Sequence, residues 1–199
     1  MADDKRGRDK QAHDEERRQR ERELETALER GDEPEPPIPA AELGELEDAL
    51  ETLPFPTTAA DVVETVGDRE ILSPDGTYRL ADLLPETDAE IFDSPAAISV
   101  QVQRPTVAAA MKRIIEASDE LQDADFGGSR RDAYKKTLKA LAAIEADDDD
   151  EGIDAITQWI VEEIDENGKL PGSRAVRREA AKFCRSNGYE IRVDEWLGI

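Results

Sequence analysis

Five basic residues close to the end of the chain, Arg174, Arg177, Arg178, Lys182 and Arg185, follow offsets of 0, 3, 4, 8 and 11. At about 100° per residue they share one broad side of a helix. Val176, Ala180, Phe183 and Cys184 take the other side. Such a row can bind carboxylates or phosphates through charge-assisted hydrogen bonds. Three occupants satisfy it: an acidic protein partner, the acidic stretch of the same chain at residues 40–100, or nucleic acid. For nucleic acid, residues 153–186 have the outline of a helix-turn-helix, in which the second helix enters the major groove. The connection at 167–172 is longer than the usual three or four residues of that motif.

Other chemistries find little support. His13 is the only histidine and lies in a charged stretch, so a His/Cys zinc site within one chain is not expected. Cys184 is the only cysteine, which rules out an intrachain disulfide. It falls on the apolar side of its helix and reads as a small buried hydrophobe. Gly127-Gly128-Ser129 lacks the lysine and spacing of a phosphate loop. The run Asp147 to Glu151 lacks the alternating offsets of a calcium loop and reads as a solvated acidic loop. The expectation is a non-enzymatic protein with no catalytic residue, no cofactor and no metal.

The elements that would position the basic row belong to a very acidic chain. Among 199 residues, 49 are acidic and 26 basic, for a formal net charge of −23. Self-repulsion of that size opposes compactness in dilute buffer, and salt near 1 M screens it to a Debye length of about 3 Å. Arginine, at 18, outnumbers lysine, at 8. The balance predicts adaptation to a salt-rich cytoplasm. Residues 169–199 run against the trend, with seven basic and four acidic side chains, a net of +3. No apolar run reaches the ~20 residues that span a bilayer. Residues 1–10 are charged and lack the apolar stretch of a signal peptide. A cytoplasmic location and no membrane contact are expected.

Along the chain, residues 1–30 hold nine basic and ten acidic side chains and almost no apolar ones. They predict a disordered or single-helix charged arm, coiled-coil-like in its charge pattern, with i,i+4 pairs such as Glu16 and Arg20. Residues 31–39 form a Pro-rich linker. Residues 40–103 predict an acidic α+β module whose bases before residue 100 are Arg69 and Arg79. Its parts are a helix through Leu43, Leu46 and Leu50, and a helix opened by Thr57 or Thr58 and stopped at Gly67. A hairpin follows, with strands at 69–72 and 77–80 around Ser73-Pro74-Asp75-Gly76, then a helix started by Pro95. Residues 104–199 predict a helical module, with helices from Pro105, over 130–146, through Ile153 to Ile164, and from Ser173 to about Ser186. A loop is expected at 125–129. Tyr189, Ile191 and Val193 alternate as in a strand, and Trp196 and Leu197 are expected to tuck into the core. The fold class is α+β, mainly α.

Several segments carry a resemblance. Leu53-Pro54-Phe55-Pro56, Gly67-Asp68-Arg69-Glu70, Phe92-Asp93-Ser94-Pro95, Leu170 to Val176 and Asp194 to Gly198, with the charged opening, resemble an acidic haloarchaeal protein family of unknown function. The middle of the chain also looks like a short bacterial domain of unknown function, in which a Phe-Pro segment and a Ser-Pro segment each open a helix. The resemblance implies a halophilic, archaeal setting and brings no activity or site residues with it.

Overall fold

The computed structural model describes residues 35–121, 126–144, 147 and 150–189. The charged arm, the first four residues of the linker and the expected C-terminal strand beyond Tyr189, with Trp196 and Leu197, lie outside the described residues.

The first elements follow local punctuation. A 3-10 turn, Ala40–Leu43, leads into α1, Gly44–Leu50. Thr58 caps α2, Ala59–Val66, by accepting the Asp61 N–H at 3.2 Å. The hairpin is β2, Glu70–Ser73, with β3, Gly76–Arg79. Ser73 pairs with Gly76, so the turn shrinks to Pro74 and Asp75 and the strands sit tighter than the spacing suggests. Next come α3, Leu80–Leu83, and α4, Pro95–Val102, which Pro95 opens at a first-turn position. One further pairing has no counterpart in the sequence pattern. β1, Thr57–Thr58, joins β4, Ile91–Phe92, in an antiparallel bridge across more than thirty residues.

Four longer helices complete the described chain: α5, Pro105–Asp119; α6, Gly128–Ala142; α7, Glu151–Asn167; and α8, Ser173–Asn187. Helix α6 starts earlier than expected, absorbing Gly128 and Ser129 from the predicted loop, and stops before 146. The architecture is α+β and mainly α.

Apolar side chains gather in two clusters. Leu43, Leu46, Leu50, Val62, Leu80, Leu83, Leu84, Phe92, Ile98 and Val102 fill the first. Met111, Ile114, Ile115, Tyr134, Leu138, Leu141, Ile156, Ile160, Val176 and Cys184 are among those filling the second. Helix α5 serves both: Ala108 lies in the first cluster, Val107, Met111 and Ile114 in the second. Its polar edge ties down the preceding loop. Lys112 Nζ donates to the Leu84 carbonyl at 3.0 Å, and Glu116 accepts the Glu86 N–H at 3.1 Å.

Candidate functional site

The basic row rides on α8. The helix begins after Gly172, with Ser173 its first residue, as the sequence leads one to expect. It ends where Gly188 turns into the left-handed region at φ 74°, a conformation that costs glycine little. The Tyr189 N–H then donates to the Cys184 carbonyl at 2.9 Å. Val176, Ala180, Ala181 and Cys184 are buried. The apolar spacing thus fixes which side faces in, and the long basic side chains are left outside.

Arg174, Arg178, Lys182 and Arg185 are exposed. Their positions fall within an arc of about 80° and along about 16 Å of axis. They stand open rather than buried against residues 40–100. Lys182 contacts a carboxylate, Glu179, at 2.8 Å, a neighbour on its own helix. Arg177 departs from the row: it is half-buried, about 60° round from Arg174 toward the core side. The structure therefore brings together four of the five candidates and sets one apart.

Helices α7 and α8 form an antiparallel hairpin rather than a helix-turn-helix. Their turn holds Gly168, left-handed at φ 62°, whose N–H donates to the Ile164 carbonyl at 2.8 Å. At the far end, a methyl placed on Gly152 would lie 3.2 Å from Phe183 Cε1. Those residues stand roughly 20 Å along α7 and 15 Å along α8 from the turn. Helices crossing at the 90–120° of a helix-turn-helix would hold such points far apart.

Helix α6 completes the support. The Tyr134 hydroxyl donates to the Pro171 carbonyl at 2.6 Å, which fixes the start of α6 beside the entry to α8. Burial pushes the Tyr134 phenol well above its ordinary range. Leu141, further along α6, meets the same Gly152 position that Phe183 meets. The two helices therefore run in parallel. On the opposite edge of α6, Lys135 reaches Gln101 Oε1 at 3.2 Å and Glu90 Oε1 at 3.9 Å.

The acidic break before α7 is not wholly solvated. Asp147 is buried, and its two carboxylate oxygens accept the N–H groups of Glu151 and Gly152 at 2.9 and 2.8 Å. It acts as the cap that starts α7, a role the run of acids conceals. Cys184 is buried, and burial, with the Asp147 charge second, raises its thiol pKa. A thiol held protonated is a poor nucleophile. Among the described residues no group of acids, cysteines and histidines is arranged to hold a metal ion. None of the described helices is long and apolar enough to cross a membrane.

No curated protein and no solved structure matches this chain. One family does, and the match begins at the 3-10 turn, passes through α1 to α4 and the hairpin, and ends inside α5, so that α6, α7 and the basic row lie beyond it. Residues 40–114 thus match the model of the family described as "Family of unknown function (DUF5789)".

Proposed function

We propose that this is a non-enzymatic binding protein, an adaptor in a salt-rich cytoplasm, that engages an anionic macromolecule through the outer face of α8. The observation that carries the reading is the exposed row Arg174, Arg178, Lys182 and Arg185 on a chain whose net charge is −23. A molecule so negative repels anions over most of its surface. Four long cations aligned on one helix create a local exception, and such local fields steer partners into one orientation. The buried, protonated Cys184 supports a binding role over a catalytic one. So does the assignment of the buried Asp147 to capping a helix.

The test uses the full chain on immobilised heparin, a generic polyanion, eluted by a KCl gradient. The variant R174Q/R178Q/K182Q/R185Q is expected to elute at clearly lower KCl than the parent. Equal elution, with equal helix content by circular dichroism, would remove the row from the binding surface.

A further inference from the structure

The basic row does not stand alone. Helix α6 packs beside α8 and carries five cations of its own against one acid, Asp132. Together the two helices hold ten cations and two acids, Asp132 and Glu179, within a chain of net −23. The way they pack decides whether those charges meet.

One edge of α6, at Arg131 and Lys135, is turned toward α4, as the Lys135 contact with Gln101 shows. The opposite edge, with Ala133, Thr137 and Ala140, is therefore the one beside α8. On the inward side of α8, Ala180 and Ala181 are fully buried. Lys136 is exposed and lies between this edge and the outer face of α6. Pairing Tyr134 with Pro171 and Leu141 with Phe183 puts Lys136 roughly level with Arg174. Arg130 is exposed and precedes Tyr134 by one turn on the same face. It therefore lies by the turn that enters α8.

We infer that the exposed cations Arg130, by the turn that enters α8, and Lys136, on the α8 side of α6, form with the row Arg174, Arg178, Lys182 and Arg185 one surface for the phosphate backbone of duplex nucleic acid. The inference rests on the proposed binding role of α8 and names its partner. Two features favour a duplex. Protein interfaces centre on apolar and aromatic anchors. The large apolar side chains that stand exposed among the described residues are Leu72, Ile91 and Val100, on β2, β4 and α4, and none is on α6 or α8. Single strands are held by stacking on exposed aromatic rings, and Tyr134 and Phe183, the rings of these helices, are buried and half-buried. Among the described residues of these two helices the exposed groups are chiefly charged, which suits sequence-tolerant contact with a backbone.

Fluorescence anisotropy of the full chain with a labelled random-sequence DNA duplex tests this across a KCl series. The series starts at the lowest concentration where the helix signal is complete, and an absence of duplex binding there overturns the inference. Six phosphate contacts give a slope of log affinity against log salt of about −5. R130Q/K136Q is expected to reduce its magnitude by about two, and R178Q by about one. R79Q, an equal change of charge on β3, is expected to leave the slope unaltered. Should K136Q lose helix signal, R130Q alone carries the test, with a loss of about one. A parent slope retained in R130Q/K136Q but lowered in R178Q overturns the two-helix surface and leaves the α8 reading standing. A slope unmoved by R178Q and by the fourfold α8 variant overturns both. Binding of labelled poly-glutamate with no binding of the duplex assigns the surface to an acidic protein and overturns the inference. Tighter binding of a single strand of equal length also overturns it.

Discussion

Asp150 shows how one residue can carry two penalties. Its backbone lies in the left-handed region at φ 54°, uncommon for a residue other than glycine. Burial is the main cause that raises its carboxyl pKa; Asp147, Asp75 and Asp154 add to it, and a hydrogen bond with Thr106 opposes it. A folded pKa above the unfolded one means that ionisation works against folding. The penalty is absent below the ordinary carboxylate range and complete above the raised pKa. D150N is therefore expected to stabilise the protein at pH 7, on the order of 0.5 kcal/mol after solvent screening. The gain should fade as pH drops through the carboxylate range, and urea melts at pH 7 and pH 4 measure both. A loss of stability at pH 7 would show that the charge is favourable there. Asp82 acts in the opposite sense. The hydrogen bond from Arg79 holds its carboxyl low, so its small contribution is present at neutral pH and lost on acidification.

At the scale of elements, the cap on α7 invites a sharper test. D147A would leave the N–H groups of Glu151 and Gly152 without their acceptors. The expected cost is about 1–3 kcal/mol, read as a lower urea midpoint with an unchanged slope. The sequence announces elements wherever a boundary is local. Thr58, Pro95, Pro105, Gly168 and Gly188 each mark a helix end through their own backbone chemistry, and each does so in the structure. It is silent where a boundary depends on distant partners. The β1–β4 bridge is two residues long on each side, too short for alternation to register. Asp147 looks like one acid among five because nothing local distinguishes a capping carboxylate from a solvated one. The row on α8 is legible from helical spacing, whereas the position of Arg177 at its edge and the presence of α6 alongside depend on packing.

For the molecule as a whole, the strongest influence is the net charge of −23. In dilute buffer the repulsion among carboxylates opposes both apolar clusters, while ~1 M KCl contracts the Debye length to about 3 Å. The far-UV helix signal is expected to grow as KCl is raised from millimolar to molar. A signal already at its maximum in dilute buffer would argue for an ordinary acidic protein. Placement matters as much as total. Arg69 and Arg79 are the only bases from residue 40 to 100, and ten cations lie on α6 and α8. Sequence could give that count but not the adjacency of the two helices.

The double allegiance of α5 bears on anyone wishing to isolate the matched segment. A truncation after residue 114 would sever α5, Pro105–Asp119, two-thirds of the way along. It would strip Val107, Met111 and Ile114 of the neighbours that keep them dry and discard Glu116, which secures the loop at Glu86. Such a fragment would emerge with a greasy flank and a tendency to clump, so a usable excision has to keep the entire rod and the helices that clothe it.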